Sequence, residues 1–363
     1  MSNLAFYFVA DERYVPPALM QASRIRRLWN ADVHIFVESA GGSGGVTRLG
    51  DGVFRHDNRL MPLLPQPLPA TDDWPAIVYC RLFAPALLRD YGRVMYLDAD
   101  ICVMDRDDAL LSVPLPGGPG AVQDGASIGK GPAGTGLSRG EWLASIGLRG
   151  QRYFNSGALL IDPAPWADID MSAELGRFAT LCGPAVMMPD QDFLNWLFQD
   201  RWTELSPRFN FQQALFNDGF ETVFPPVFLH FSSRDKPWQG AADPATPHGQ
   251  VHPLYRREVA RLGHDPDRLD CRRPESLPVA LRRRIRHGLT RLGSTTGRER
   301  RLRRDWTCRC RVMADALIDD IACGRYADPH VGADAPLQDP AAVTFDGRHL
   351  RRPLHLDLAA MEP

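Results

Sequence analysis

The feature that most constrains the fold is a hydrophobic run near the start of the chain, Leu4–Ala10. Its seven residues suit one strand, and no polar residue alternates with the hydrophobic ones, so we expect both faces of that strand to be buried. Similar short runs recur at 93–97 and 157–161, and segments with helical spacing lie between them. This alternation predicts an α/β fold with a mostly parallel sheet flanked by helices.

The predicted elements lie within the first 240 residues. Strands are predicted at residues 4–10, 33–37, 93–97, 101–103, 157–161 and 227–229. Helical segments are predicted at residues 16–29, 77–88 and 193–198. Two segments rich in glycine or proline, 41–52 and 114–136, are predicted to be loops.

Composition excludes several classes of protein. The 42 basic and 44 acidic residues nearly cancel, so no nucleic-acid partner is expected. No apolar segment approaches the roughly 18–20 residues that span a bilayer, and the N-terminus lacks the features of a signal peptide, so a cytoplasmic location is expected. The seven cysteines are odd in number and irregularly spaced, which favours reduced thiols over a zinc site.

The character of the chain changes near residue 250, which predicts a catalytic domain at 1–250 and a C-terminal extension at 251–363. Twelve arginines lie between Arg282 and Arg311, with Leu281 and Ile285 beginning a helically spaced apolar series. This pattern has two interpretations. It is typical of a basic amphipathic helix at an anionic membrane surface, and equally of a solvated helical face in an arginine-rich protein.

The most informative polar motif is Asp98-Ala99-Asp100, which follows a predicted strand. If the motif is extended, alternate side chains share a face, and two carboxylates in one volume repel unless a cation or proton lies between them. His230, at another predicted strand end, would complete an oxygen-and-imidazole set that suits Mn²⁺ better than Mg²⁺. The alternatives are acids that cap a turn and a structural histidine.

Two further motifs carry polar groups beside predicted elements. Asp190-Gln191-Asp192 precedes a helix, where it could cap the helix or face the hydroxyl groups of a sugar. Asn155 precedes a buried strand, and Gly157 beside it permits a close approach of the backbone. Lys236, six residues after His230, is a point charge able to meet a phosphate oxygen.

These motifs occur in a recognisable order. They are Ala10-Asp11-Glu12-Arg13-Tyr14, Tyr79-Cys80-Arg81-Leu82, Tyr96-Leu97-Asp98-Ala99-Asp100, Phe154-Asn155-Ser156-Gly157, Asp190-Gln191-Asp192 and His230 to Trp238. Together they resemble the family 8 glycosyltransferases, the retaining GT-A enzymes that include bacterial lipopolysaccharide galactosyl- and glucosyltransferases. The resemblance covers roughly residues 4–240 and implies a Rossmann-like GT-A fold, followed by a small, mainly helical extension.

The resemblance also implies roles for individual residues. Asp98, Asp100 and His230 would hold Mn²⁺, or Mg²⁺ in its place, against the diphosphate of a UDP-hexose donor. The other residues it places around the donor are Ala10, Asp11 at the uracil edge, Tyr14 on the uracil face, Arg81, Ala99 and Asn155. The residues it places at the reaction centre are Asp190, Gln191, Asp192 and, on the leaving phosphate, Lys236.

Two departures from the family pattern concern the donor loops. Ser233 stands where the family has a glycine in its His-x-x-Gly segment, which puts the geometry of that loop in question. Arg13 replaces a smaller polar residue beside the ribose. Neither departure removes a candidate metal ligand.

The implied reaction transfers galactose or glucose from a UDP-sugar to a saccharide or lipid-linked acceptor, with peripheral contact at the cytoplasmic membrane as a further expectation. An amide is a poor nucleophile, so Gln191 favours attack on the face of the sugar from which UDP departs. Asp192 could instead act as a transient nucleophile, or it could be a structural acid at the start of the helix. Two other functions remain open, a sugar nucleotidyltransferase and an inactive carbohydrate-binding scaffold. The segment Asp11-Glu12-Arg13-Tyr14 is not the phosphate loop that a nucleotidyltransferase needs.

Overall fold

The computed structural model describes residues 3–269 apart from 39–43, 71–73, 128–130, 132–134, 151, 200, 218–225, 234–235 and 240–246. The predicted arginine-rich helix and the rest of the chain beyond 269 lie outside the described residues. None of the helices in the described part is both long and apolar enough to cross a membrane.

The strands form two sheets. They are β1 (Leu4–Ala10), β2 (Asp32–Val37), β3 (Gly45–Gly50), β4 (Val53–Asp57), β5 (Arg93–Leu97), β6 (Ile101–Val103), β7 (Gly120–Gln123), β8 (Phe154–Ile161), β9 (Thr203–Glu204), β10 (Phe211–Gln212) and β11 (Phe228–His230). The large sheet has the order β3-β4-β2-β1-β5-β8-β7-β9, and the small sheet has the order β10-β11-β6.

Helices cover both faces of the large sheet, and two further helices pack beside the small sheet. The helices are α1 (Val15–Trp29), α2 (Arg139–Ser145), α3 (Pro163–Ala167), α4 (Met171–Cys182), α5 (Pro189–Phe198), α6 (Gln213–Asn217) and α7 (Pro247–Arg261). Short 3₁₀ helices lie at Met61–Leu63, Ala76–Leu82, Ala84–Leu88, Asp108–Leu111, Gly183–Ala185, Pro207–Asn210 and Pro266–Leu269.

The predicted α/β fold is confirmed, and its sheet is mixed. Four pairings in the large sheet are parallel, β1 with β2 and β5, β2 with β4, and β7 with β9. The pairings of β3 with β4, β5 with β8 and β7 with β8 are antiparallel. The parallel half carries the Rossmann-like order, and β5 is the strand at which the direction of pairing changes.

The first strand is buried on both faces, as its unbroken hydrophobic run predicts. Phe6 and Phe8 point into the core that α1 covers, whereas Ala5 and Tyr7 point into the core on the opposite face. These residues are 0% exposed. The continuous apolar run therefore reflects two cores that share one strand.

Three predictions about local structure were wrong. The segment 41–52 contains β3, an exposed edge strand, and 114–136 contains β7. The strand β3 lies at the edge of the sheet with exposed side chains, so it carries no hydrophobic pattern. The strand β7 is buried between two neighbours, but it is only four residues long and lies within a segment rich in glycine and proline. Residues 77–88 form two 3₁₀ helices rather than one longer helix, because Pro85 has no N–H to continue a helical hydrogen-bond ladder.

The strand predicted at 227–229 belongs to the small sheet rather than to the large one. The strand β11 pairs in parallel with β10 and antiparallel with β6, and the pair His230 and Ile101 lies in register. Behind this sheet, α7 adds Val251 and Tyr255 to a core that also contains Trp238. The predicted domain boundary at 250 falls within α7, and the division of the chain stays a prediction.

Candidate active site

The site is centred on the turn between β5 and β6, which contains Asp98, Ala99 and Asp100. The turn is closed by a hydrogen bond from Ile101 N–H to the Asp98 carbonyl (3.0 Å). Asp98 N–H bonds to the Gly157 carbonyl (2.8 Å), so β8 also holds the turn. The two acids converge as predicted, but they do so because the chain turns and not because they share a face of an extended strand.

The small sheet brings His230 to the same turn. His230 ends β11, and its partner Ile101 directly follows Asp100. Its Nε2 atom lies 3.8 Å from Asp98 Oδ2 and 3.4 Å from Asp100 Oδ1. One ligand atom from each of these three residues lies within 4.8 Å of the others. The structure thus brings together the three residues that the sequence predicts as metal ligands.

Two observations show that this trio fits a divalent cation. Asp100 Oδ1 is buried and has no hydrogen-bond partner among the described residues, which is costly for a carboxylate oxygen unless a cation meets it. Gly157 leaves the space open, because a Cβ there would lie 2.3 Å from His230 Cε1 and 2.8 Å from Asp98 Oδ2. Carboxylate and imidazole groups are ordinary ligands of divalent metal ions in proteins.

Lys236 shares the carboxylate of Asp100. Its Nζ atom contacts Asp100 Oδ2 and lies 3.4 Å from the Phe231 carbonyl oxygen. Burial raises the pKa of Asp100, but positive charge beside the carboxylate, chiefly the Lys236 ammonium, brings the pKa below its ordinary value. Asp100 is therefore held as a carboxylate, the form in which it binds a cation.

Arg81 links the trio to helix α5. The guanidinium is buried, with Nη1 3.1 Å from Asp98 Oδ1 and 3.3 Å from Asp190 Oδ2. It stacks 4.5 Å from the centre of the Tyr96 ring, whose hydroxyl donates to Asp98 Oδ1 at 2.5 Å. Asp98 is thereby fixed through Oδ1, which leaves Oδ2 on the side of His230.

The Asp190-Gln191-Asp192 motif forms the first turn of α5 and packs on the start of β8. Asp190 Oδ2 accepts a hydrogen bond from Ser156 Oγ (2.8 Å), and Gln191 Oε1 accepts one from Ser156 N–H (3.0 Å). Burial raises the pKa of Asp190, with Arg81 opposing that effect. Since Arg81 contacts both Asp98 and Asp190, the first acid of the motif lies next to the three candidate metal ligands.

Asp192 lies on the far side of the helix turn and is fully buried. Its Oδ1 accepts from the Tyr153 hydroxyl (2.5 Å), and its Oδ2 accepts from the backbone N–H groups of Met187 (2.8 Å) and Met188 (3.0 Å). Burial raises its pKa to about 6 despite these donors. This geometry favours the structural interpretation of Asp192 over that of a nucleophile.

The residues at the end of β1 lie on the other flank of the site. Ala10 is buried, and its carbonyl accepts from Glu38 N–H at 3.0 Å. The carboxylate of Asp11 accepts from the backbone N–H of Arg13 (2.9 Å) and from its guanidinium (2.7 Å). Arg13, the departure noted beside the ribose position, is thus an ion-pair partner of Asp11.

Tyr14 lies near the trio. Its ring packs edge-on against Trp238 at 5.7 Å. Burial raises its pKa, and the charges of Lys236 and Asp100 also act on it. Ser233, the other departure from the family pattern, is followed by two residues outside the described part of the chain, so the geometry of that loop stays a prediction.

Asn155 is committed to a hydrogen-bond network that the sequence does not reveal. Its Oδ1 accepts from Gly157 N–H (3.0 Å) and from Asn210 Nδ2 (2.9 Å). Asn210, which is 0% exposed, lies 2.8 Å from His230 Nδ1 through its own Oδ1. Asn210 belongs to no motif and precedes a two-residue strand, so no sequence signal marked it.

The mixed α/β sheet, with two acids and a histidine gathered beside β5, has the architecture of the GT-A fold. The family model for Glycosyl transferase family 8 matches residues 54–242, and the chain belongs to this family. Lipopolysaccharide glucosyltransferase WaaO of Escherichia coli K12 is 32% identical over 181 residues, which are 47% of this chain and 51% of that protein. Lipopolysaccharide 1,2-glucosyltransferase of the same organism is 25% identical over 232 residues, covering 61% of this chain and 64% of that protein.

The chain thus spans about half to two thirds of the length of these relatives. Among solved structures, galactosyltransferase LgtC in complex with donor and acceptor sugar analogues has a TM-score of 0.54 and 21% identity. The match covers 71% of this chain and 95% of LgtC. At this identity the likeness concerns the fold, and it agrees with the predicted GT-A architecture.

Proposed function

We propose that the protein is a metal-dependent retaining hexosyltransferase that uses UDP-galactose or UDP-glucose. The observation that carries the proposal is the convergence of Asp98, Asp100 and His230, with a buried Asp100 oxygen that no described residue satisfies. Mn²⁺ is the proposed ion, and Mg²⁺ is the alternative. When bound, such a cation supplies positive charge at the diphosphate, where negative charge develops as the sugar departs.

The protein's own cations support the same step. Breaking the anomeric C–O bond leaves negative charge on UDP and oxocarbenium character on the sugar. Lys236, whose ammonium lies on Asp100, is the proposed partner of the leaving phosphate, and Arg81 is the proposed contact between the diphosphate and the sugar. Both groups are largely buried, so their charges act through little intervening water.

Retention of the anomeric configuration is proposed to occur because the acceptor attacks the face of the sugar from which UDP departs. Asp192 has both carboxylate oxygens occupied and no exposed surface, which makes it a poor candidate for a nucleophile. Gln191 uses one lone pair of Oε1 on Ser156 N–H, and the other lone pair is available to the developing cation. In this mechanism, the departing UDP accepts the proton of the acceptor hydroxyl.

The acceptor is proposed to be a saccharide or a lipid-linked saccharide. Two relatives are named as lipopolysaccharide glucosyltransferases, which supports a bacterial cell-surface glycan as the class of acceptor. Peripheral contact with the cytoplasmic face of the membrane, through the arginine-rich stretch beyond residue 269, remains part of the proposal.

The test is release of UDP from UDP-galactose and UDP-glucose with Mn²⁺, Mg²⁺ or EDTA. We expect release with one of the two donors in Mn²⁺, little release in EDTA, and loss of turnover in Asp98→Asn. Asp51→Asn serves as the control, because Asp51 is 85% exposed and lies outside the site. Proton NMR of the transferred sugar reports the anomeric outcome. Metal-independent release would contradict the proposed metal dependence, and no release from any UDP-sugar would favour the inactive scaffold.

The same assay bears on the remaining alternative. A sugar nucleotidyltransferase would consume a nucleoside triphosphate and a sugar phosphate and release pyrophosphate. Membership of family 8 argues against that activity, and pyrophosphate formation without UDP release would support it.

A further inference from the structure

The orientation of one buried amide follows from a backbone group. Gly157 N–H can only donate, and it points at one terminal atom of the Asn155 side chain at 3.0 Å. That atom must accept, so it is the oxygen of the amide. The Asn155 nitrogen then faces Asp124 Oδ1 at 3.4 Å, and a carboxylate oxygen there can accept from it. Both ends of the Asn155 amide are therefore consistent with a single orientation.

The orientation of the Asn155 amide determines that of the Asn210 amide. Asn155 Oδ1 also lies 2.9 Å from the Asn210 side chain, and because this oxygen accepts, Asn210 must donate to it through Nδ2. The oxygen of Asn210 is then left to face His230 Nδ1 at 2.8 Å. Because this oxygen can only accept, His230 Nδ1 must carry a proton.

In the neutral form of the ring, the form that can bind a metal, the free lone pair is then on Nε2. This is the nitrogen that lies 3.4 Å from Asp100 Oδ1 and 3.8 Å from Asp98 Oδ2. A metal ligand must present a lone pair, and histidine ligands ordinarily have their other N–H held by a fixed acceptor. His230 is nearly fully buried, so water cannot easily substitute for that acceptor.

Tertiary contacts hold Asn210 in place. It ends the 3₁₀ helix Pro207–Asn210, whose Arg208 forms a buried ion pair with Asp107 at 2.9 Å. The next two residues form β10, in which Gln212 pairs with His230. The position of Asn210 beside the imidazole is therefore built into the small sheet.

We infer that Asn210 is a positioning residue, which, oriented by Asn155 and the Gly157 amide, holds His230 in the tautomer that offers Nε2 to a divalent cation. The inference rests on the proposed metal dependence and extends it from the three ligands to the hydrogen-bond chain behind them. Asn210 touches neither the metal position nor the proposed donor through any contact described here, so its effect passes through His230.

The first test measures Mn²⁺ affinity by electron paramagnetic resonance in the absence of any donor. Asn210→Leu keeps the branched shape and the number of heavy atoms but removes the acceptor, and we expect a 10–100-fold weaker affinity. Asn210→Asp restores an acceptor for Nδ1–H, although it cannot donate to Asn155, and we expect it to bind Mn²⁺ at least several-fold more tightly than Asn210→Leu. A merely structural role would not produce this difference between the two variants.

A matched control separates lost positioning from lost stability. His56 is a buried polar residue on β4, hydrogen-bonded to His34 rather than to any residue of the site. His56→Leu should lower the melting temperature and leave Mn²⁺ affinity unchanged. If Asn210→Leu binds Mn²⁺ as the wild type does, or if Asn210→Asp is no better than Asn210→Leu, the inference is wrong.

The second test reads the tautomer directly and needs no metal. In metal-free protein with ¹⁵N-labelled histidine, assigned by comparison with His230→Gln, we expect Nδ1 of His230 to be protonated. We expect Asn210→Leu to move that proton wholly or partly to Nε2. An unprotonated Nδ1 in the wild type would overturn the inference. Since this readout is independent of cation binding, a wild-type protein that binds no Mn²⁺ would contradict the proposed function without deciding the tautomer.

Discussion

Substitution of Gly157 by alanine tests the metal site with a single methyl group. The added Cβ would lie 2.3 Å from His230 Cε1, 2.8 Å from Asp98 Oδ2 and 3.0 Å from Asn155 Oδ1. Carbon atoms in contact are ordinarily about 3.5 Å or more apart, so the imidazole would have to move by about 1.2 Å. The backbone N–H that orients Asn155 is retained, which confines the perturbation to the methyl group.

The neighbouring groups cannot relieve this clash without cost. Movement of the imidazole stretches its 2.8 Å contact with Asn210, and rotation of Asp98 breaks its bonds to Tyr96 and Arg81. Overpacking of this kind typically costs about 1–3 kcal/mol of stability. Because the displaced groups are two of the three ligands, we expect Mn²⁺ affinity to fall at least about tenfold, or about 1.4 kcal/mol.

The assay is a Mn²⁺ titration followed by electron paramagnetic resonance, with thermal unfolding measured on the same samples. Gly176→Ala is the control, because Gly176 lies within α4 and a Cβ there meets nothing within 4 Å. We expect that control to keep its Mn²⁺ affinity and to gain roughly 0.5–1 kcal/mol of stability. Wild-type Mn²⁺ affinity in a folded Gly157→Ala variant would refute the placement of the cation between these residues.

Three further outcomes are expected. Asp98→Asn should lower turnover by about 10²–10³-fold, as the loss of a fixed electrostatic partner usually does, with an unchanged far-ultraviolet circular dichroism spectrum; retained turnover would exclude Asp98 as a ligand. Asp107→Ala removes the carboxylate from its buried ion pair with Arg208, and it should lower the free energy of unfolding in urea by about 3–5 kcal/mol; a loss below 1 kcal/mol would contradict this. Burial lowers the pKa of His34 and of His56 to about 4, so the folded protein favours the neutral rings, whereas the unfolded chain binds protons below about pH 6.5. The free energy of unfolding should therefore fall as pH falls from about 6.5 to 4. In the double variant His34→Phe/His56→Phe, the free energy of unfolding in urea should depend less on pH across that range than in the wild type. An equal pH dependence would show that these two histidines are not its cause.

Hydrophobic pattern alone was enough to predict the central architecture. The strands β1, β2, β5 and β8 and the helix α1 appear close to their predicted bounds, because each buries a continuous or periodic apolar surface. The strands β3 and β7 were missed, because β3 is an exposed edge strand without a hydrophobic pattern and β7 is a four-residue strand within a segment rich in glycine and proline. The family, too, could be inferred from the order of six short motifs, and the match over residues 54–242 confirms it.

Only the tertiary structure explained why the chemistry converges. Asp98 and Asp100 meet because of a turn, and His230 meets them because β11 pairs with β6 in a second sheet. Asn210 could not have been singled out, because its role depends on pairing across the small sheet and on no pattern in its own neighbours. Local sequence records which surfaces are buried along one segment. Which polar atoms of distant segments face one another is decided by sheet register and hydrogen-bond direction, and these arise only when the chain has folded.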